Sequence, residues 1–277
     1  MKRFFIVANT EKDIDYNFSK SICEYIEKKG AVCSYLKNEN EYVSEKNIPK
    51  DCECIIVLGG DGTLIQTARR LYSLNIPIFG VNIGTLGYLT DVDGKQIYSA
   101  LDMLLCDKIY TSTRMLIEGK VIRDGEVVFS DIALNDIVLN RVGPLRVIGF
   151  DISVNGEFLI NYNADGLIVA TPTGSTAYNL SAGGPIIKPE KDIILVTPVC
   201  PHTLYKSSLI FDGSDEIEIY IAPSKSGFEE RAVTFDGEKS FNLISGDKLV
   251  ITKSENIVRL IQTGKHNYLQ ILRNKMS

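Results

Sequence analysis

The chain has 277 residues, which suits one large domain or two modest ones, and its 44% hydrophobic and 23% charged residues are ordinary globular usage that excludes a disordered or collagen-like protein. Thirty Lys and Arg against 35 Asp and Glu leave a net charge of −5, with no dense basic run interleaved with aromatics, so nucleic acid is not an expected partner. Six Cys without a C-x-x-C pair and only two His suggest neither a zinc site nor a disulfide framework.

In chain order, Lys2 to Ala8 reads as a buried strand. Asn9, Glu11 and Asp13 cut its apolar run short of a signal peptide, and no later run approaches the roughly 20 residues that span a bilayer. The expected compartment is the cytoplasm, with no membrane partner. Ile14, Phe18, Ile22, Tyr25 and Ile26 recur at helical spacing until Gly30 offers a C-cap. Val32 to Leu36 is a short strand, and Cys54 to Leu58 another, ending in Gly59-Gly60-Asp61-Gly62-Thr63. Leu64, Ala68, Leu71 and Tyr72 then carry a helical stripe, Ile76 to Val81 returns to strand, and Ile97, Leu101, Leu104 and Leu105 predict a further helix. This alternation predicts an α/β domain over residues 1–109 with a parallel sheet covered on both faces.

From about residue 110 the texture changes to short β runs punctuated by Asp124-Gly125, Asn155-Gly156, Asp212-Gly213, Asp236-Gly237 and Gly246-Asp247, which are hairpin-turn dipeptides. A mainly-β domain is expected over 110–254. One helical candidate interrupts it, Thr176 to Ala182, and the last dozen residues predict another helix. Ile132 to Leu139 reads as an apolar strand interrupted by Asn135-Asp136.

Three polar features stand out. The glycine turn after an apolar strand, opening a helix, presents backbone N–H groups at a positive helix end where no Cβ blocks a phosphate. Asp61 would repel that phosphate, so it needs another job. It either accepts a proton from an attacking hydroxyl during phosphoryl transfer or simply caps the helix. No G-x-x-x-x-G-K-[ST] occurs, and the G-x-G-x-x-G pattern that starts at Gly60 fails at Ile65. The second feature, Asn163 to Pro185, sets an apolar strand between polar segments rich in small hydroxyl residues, glycines and Tyr178, which suits a nucleotide-like ligand or a Ser/Thr-rich turn with a capped helix. The third is Asn135-Asp136. The amide can pair with an adenine edge and the carboxylate can accept from ribose hydroxyls, or the two can form a core hydrogen-bond pair. Arg69 and Arg70 lie about 11 Å along the helix from the turn and are expected to be solvated or salt-bridged. Tyr88 and Tyr178 either stack on a base or pack in a core.

Gly59-Gly60-Asp61-Gly62, the Gly84 to Asp91 segment, Asn135-Asp136 and the Asn163 to Pro185 run together resemble the NAD kinase family, in the family's order, over residues 54 to 240. The glycine turn alone is also shared with diacylglycerol, sphingosine and phosphofructo-kinases. The resemblance implies transfer of the ATP γ-phosphoryl group to the 2′-hydroxyl of the adenosine ribose of NAD. Expected with it are a divalent metal (Mg2+), an α/β domain followed by a β-sandwich with residues 255–277 returning to the first domain, and a homo-oligomer, dimer or tetramer. It implies Asp61 as proton acceptor and Gly62, Asn135, Asp136, Asp165, Thr176, Ala177, Tyr178, Asn179, Leu180 and Ser181 along the dinucleotide, with Arg146 and Asn163 as weaker matches. Asp136 stands where Glu is more common, Asn163 where a basic residue is frequent, and Tyr205-Lys206-Ser207 where an Arg is often found. A diacylglycerol-type lipid kinase and a catalytically inactive nucleotide sensor are the alternatives. The polar Asn163 to Ser181 run argues against an apolar substrate groove.

Overall fold

The computed structural model describes residues 1–36, 43–84, 87–143, 147–223, 230–264 and 268–276. The chain forms two compact units, Met1–Arg114 with Asn256–Ser277, and Met115–Glu255.

The first unit is built on parallel strands β1 (Arg3–Ala8), β2 (Val32–Tyr35), β3 (Cys54–Gly59) and β4 (Ile78–Asn82) in the order β4-β3-β1-β2, with the two-residue β5 (Val92–Asp93) pairing β4. All residues of β3 and β4 are buried, as a parallel strand covered on both faces requires. Helices α1 (Asn17–Lys28), α2 (Asp61–Leu71) and α3 (Ile97–Leu105) accompany the sheet. Ser19, Ile22, Cys23 and Ile26 are the buried positions of α1, one stripe at a period near 3.6. The buried Asp13 organises its start, accepting from Phe18 N–H at 2.8 Å and from the Ser19 N–H and hydroxyl at 3.0 and 2.5 Å. Ile14, counted in the stripe from sequence, lies before α1 and is 69% exposed, because Asp15 and Tyr16 adopt positive φ and break the helical path. Gly30 ends the helix region at φ +80°. Arg69 is buried on α2, so of the two expectations for it, solvated or salt-bridged, the first does not hold.

The second unit is a β-sandwich, with strands β6 (Tyr110–Arg123) and β17 (Lys248–Gln262) running on past its limits. One layer contains β10 (Glu157–Ala164), β9 (Ile148–Val154), β14 (Ile217–Ile221) and β17 in that order, together with the hairpin of β6 and β7 (Glu126–Ala133). The other is antiparallel in the order β13 (Leu209–Asp212), β12 (Ile193–Val199), β11 (Gly166–Ala170), β8 (Asp136–Val142), β15 (Glu230–Phe235), β16 (Lys239–Leu243). Ile137, Leu139, Leu167 and Val169 from one layer meet Phe150, Ile152, Ile219 and Leu249 from the other in a common core. On β8 this leaves Asp136, Val138 and Asn140 on the opposite face, since side chains alternate along a strand.

Asp124-Gly125, Asn155-Gly156 and Asp236-Gly237 each place both residues at positive φ, as the tight hairpin turn requires. Asp212-Gly213 does not: β13 and β14 lie in different layers, and the Gly213 N–H donates instead to the Asp192 carbonyl at 3.1 Å. The run Ile132 to Leu139 is two strands rather than one. β7 ends at Ala133, and Asn135-Asp136 stands where the chain leaves one layer for the other. Thr176 to Ala182 is not a single helix but a 3-10 turn, Gly174–Thr176, followed by the four-residue α4 (Tyr178–Ser181). The last element is α5 (Tyr268–Met276). Among the described residues no helix is long and apolar enough to cross a membrane.

Candidate active site

In the first unit the glycine turn closes β3 against α2. A Cβ at Gly59 would overlap the Thr63 side chain, so only glycine fits the last position of the strand. Gly60 is the extended N-cap residue and Asp61 the first residue of the helix, where the helix dipole favours a negative charge. The Asp61 carboxylate does not cap α2. It accepts from the Tyr88 N–H at 2.7 Å and from the Leu89 N–H at 3.0 Å, one bond on each oxygen. Each oxygen retains a lone pair beyond the one used, so the group is oriented and still able to accept a hydroxyl proton. Burial and then the Asp61 charge push the Tyr88 phenol above its ordinary value. Gly62 is exposed on the first turn of α2, and a Cβ there would meet open space.

Lys12 was not singled out by sequence reasoning. Its ammonium lies 3.9 Å from where a side chain at Gly60 would begin and 2.8 Å from the equivalent point at Gly84. The loop that carries it is held by Asn9, whose backbone bonds Leu58 at 2.8 Å and whose side chain accepts from Lys12 N–H at 3.2 Å and donates to Thr63 Oγ1 at 3.4 Å. A cation, a helix N-terminus and a fixed carboxylate thus surround one turn.

In the second unit a cavity of about 400 Å3 is lined by Asn135, Asp136, Val138, Asn140, Ala177, Tyr178, Thr234, Asp236 and Gly237. That volume lies within the range of small-molecule sites. Four residues expected at the site from the sequence, Asn135, Asp136, Ala177 and Tyr178, are brought together here. The core-pair alternative for Asn135-Asp136 is not what the fold makes. The Asn135 Oδ1 and Asn140 Oδ1 atoms are buried with no hydrogen-bond partner among the described residues, two acceptors left for an outside donor. Tyr178 is 46% exposed beside the cavity rather than packed in a core.

Asp236, read from sequence only as a turn residue, is the organiser. Its carboxylate accepts from the Leu134, Asn135 and Asp136 N–H groups at 2.8, 2.8 and 3.0 Å, and its own N–H donates to the Asp136 carbonyl at 3.0 Å. Gly174 lets the 3-10 turn approach Asn135, since a Cβ there would fall on the Asn135 backbone. Asp136 is 6% exposed, and burial, followed by repulsion from Asp236, pushes its carboxyl up to about 7.

Other expected residues have different surroundings. Asn179 is completely buried and fully used inside the chain: its amide donates to the Ser175 and Pro185 carbonyls at 3.1 Å each and accepts from Thr197 Oγ1 at 2.7 Å. It braces the segment instead of facing a ligand, which corrects the sequence assignment. Asp165 accepts from Arg141 Nε at 2.9 Å, outside the lining of this cavity. Thr176 Oγ1 donates to the Thr173 carbonyl at 3.4 Å, and Leu180 and Ser181 are exposed on α4 outside that lining. Asn163 is exposed, with its side chain donating to Asn161 Oδ1 at 3.5 Å. Arg146 lies outside the described residues.

Residues 4–109 match the family model for the ATP-NAD kinase N-terminal domain and residues 134–263 that for the ATP-NAD kinase C-terminal domain. The NAD kinase of Lachnospira eligens is 47% identical over 293 residues, covering 100% of both chains, and that of Agathobacter rectalis is 45% identical, covering 100% of this chain and 99% of the other. Yeast NADH kinase complexed with NADH matches with a TM-score of 0.85 at 23% identity, covering 100% of this chain and 87% of that one. An NAD kinase from Archaeoglobus fulgidus in complex with ATP matches at 0.77 and 24%, covering 99% and 97%. These two structures share the fold, an α/β domain followed by a mainly-β one.

Proposed function

The chain belongs to the NAD kinase family, and from that premise we propose that it transfers the γ-phosphoryl group of ATP to the 2′-hydroxyl of the adenosine ribose of NAD, giving NADP. The observation that carries the chemistry is the Asp61 carboxylate, fixed by two backbone amides at the start of a helix with lone pairs to spare. A ribose hydroxyl is protonated at neutral pH, so an oriented carboxylate aligns it and takes its proton as the new P–O bond forms. Most of the acceleration comes from alignment and from neutralising phosphate charge.

The N–H groups of the glycine turn and the Lys12 ammonium are the groups suited to the triphosphate. Mg2+ would accompany the triphosphate, whose oxygens are the ligands this ion favours together with one or two carboxylates, and would supply neutralisation of phosphate charge. Residues 110–254 are assigned the dinucleotide. The unpaired acceptors of Asn135 and Asn140 suit the amino group of an adenine, the Tyr178 ring suits stacking, and Asp136 suits a ribose hydroxyl. Gly62, Asp165, Thr176, Ser181, Asn163 and Arg146 remain assigned to the dinucleotide by family likeness, whereas Asn179 is reassigned to support.

We assign the enzyme to the cytoplasm, which six free thiols support, and to a homo-oligomer, which exposed apolar side chains such as Phe158 at 67% support. Light scattering on the purified chain tests the second. The function itself is tested by incubating the protein with ATP, Mg2+ and NAD and measuring NADP, then repeating with other triphosphates, polyphosphate and NADH. NADP formation is the expected result. A melting temperature raised by dinucleotide without turnover would replace this reading with a nucleotide sensor.

A further inference from the structure

The carboxylate of Asp61 is held from a segment that is itself held from the far end of the chain. Tyr88 and Leu89 supply the two N–H donors. Gly87, just before them, is so close that a Cβ there would overlap Asp61 Oδ1. Four residues after Gly87, the Asp91 N–H donates to the Gly80 carbonyl at 2.9 Å, and Gly80 lacks the Cβ that would lie 3.1 Å from the Thr90 Cα. Val92 and Asp93 then pair with Val81 and Asn82 of β4. The remaining anchor comes from residue 263: Asp91 Oδ2 accepts from the Thr263 N–H at 2.9 Å and from Thr263 Oγ1 at 2.6 Å. Asp91 is 6% exposed and Thr263 4%, so both bonds are shielded from water. Thr263 directly follows β17, whose Leu260 pairs with Ile78 of β4.

We propose that Asp91 and Thr263 are positioning residues for the reaction: they fix the Gly87–Asp91 backbone, and through the Tyr88 and Leu89 amides they fix the angle at which the Asp61 carboxylate meets the acceptor hydroxyl. The proposal rests on Asp61 being the proton acceptor. Neither residue touches substrate in this scheme. An amide displaced by a fraction of an ångström turns the carboxylate it holds, and misplacement on the scale of 1 Å costs up to about 10²-fold in rate. The tie gives the C-terminal segment a role in the first unit beyond packing: Thr263 holds the Asp91 side chain, while β4 pairs with the Val92–Asp93 backbone that follows.

The test uses the full-length enzyme. Thr263→Val removes the hydroxyl bond while keeping the volume, and Thr263→Ser restores it. Expected for Thr263→Val is a fall in kcat of about 10- to 100-fold with KM for both substrates within about twofold, and recovery of most of kcat in Thr263→Ser. Amide hydrogen exchange at Tyr88 and Leu89 accelerates in Thr263→Val while exchange within β3 stays slow. Combining Thr263→Val with Asp61→Asn lowers kcat little beyond Asp61→Asn alone, since both act through one carboxylate. If Thr263→Val does not fold, exchange in the unmodified enzyme with increasing denaturant decides: Tyr88, Leu89 and Thr263 open with one common free energy if the tie is real, and independent openings overturn it. Unchanged kcat and unchanged exchange in Thr263→Val, with Asp61→Asn inactive, overturn the positioning role alone. Near-normal turnover in Asp61→Asn overturns the base assignment instead.

Discussion

Asp61 in the first unit and Asp136 in the second are carboxylates of the same reach beside a sharp turn, and the fold treats them in opposite ways. Asp61 keeps partial exposure and receives two backbone N–H donors. Asp136 is 6% exposed, and none of the described residues donates to its side chain, because the neighbouring Asp236 collects the three N–H groups available there. The first arrangement holds a negative charge in a defined direction. The second makes a negative charge costly, and the carboxyl is pushed up to about 7 by burial first and Asp236 second. The lesson is that donor supply, more than residue type, decides which of two carboxylates holds a charge easily, in keeping with the roles proposed for them as proton acceptor and recognition group.

Breaking the first arrangement has the largest expected effect. Asp61→Asn removes the charge, and an asparagine amide can accept from only one of the two N–H groups while its own NH2 opposes the other. The substitution therefore disturbs the Tyr88-Leu89 backbone as well as the chemistry. Turnover falls about 10² to 10⁴-fold in an NADP-formation assay, and calorimetry finds dinucleotide affinity within several-fold of normal.

Asp236→Ala breaks the second arrangement at its organiser. Three backbone donors lose their acceptor, so unfolding by urea shows a loss of about 3 kcal/mol or more. Asp236→Asn, which keeps an acceptor, loses less. A loss no larger than that of an ordinary surface substitution would mean that Asp236 does not organise the Asn135-Asp136 turn.

Lys12→Ala sharpens the contrast from the donor side. The ammonium beside the glycine turn is assigned to the triphosphate, so KM for ATP rises roughly tenfold while KM for NAD changes little. A change confined to NAD would move Lys12 out of that assignment.

The smallest effect is a pH dependence. Asp136 has a folded-state value of about 7 against an ordinary 3.8, so the folded chain binds the extra proton over the interval between them. Its contribution to stability is full below about pH 4 and is lost as pH rises to about 7. Asp136→Asn flattens that limb in a series of denaturation curves. If the ionised carboxylate is what accepts a ribose hydroxyl, dinucleotide affinity of the unmodified enzyme weakens a few-fold as pH falls below 7, and Asp136→Asn abolishes the trend.

Much of the scaffold is legible in the chain itself. The apolar run ending in Gly59, the helical stripe of Leu64, Ala68 and Leu71, and the Asp124-Gly125, Asn155-Gly156 and Asp236-Gly237 turns take the form that their local pattern predicts, whereas Asp212-Gly213 does not. What escapes is whatever depends on partners far away in sequence. Asp236 looks like a hairpin residue, yet its partners lie 100 to 102 residues earlier. Asn179 looks like part of a ligand segment, yet Thr197 and Pro185 draw it inside. Nothing local distinguishes Lys12 from any other exposed lysine, or connects Asp91 with Thr263 across 172 residues.

Periodicity, glycine placement and turn chemistry are short-range properties, so the amino-acid order by itself determined the α/β and mainly-β halves, the turn before α2 and the identity of Asp61 as the residue of interest. Which way that carboxylate points, which acceptors go unpaired around the cavity and which buried acid is pushed above the ordinary carboxylate range were decided only when distant segments packed together. Hydrogen-bond donors and the exclusion of water are supplied by neighbours in space, and no window along the chain contains them.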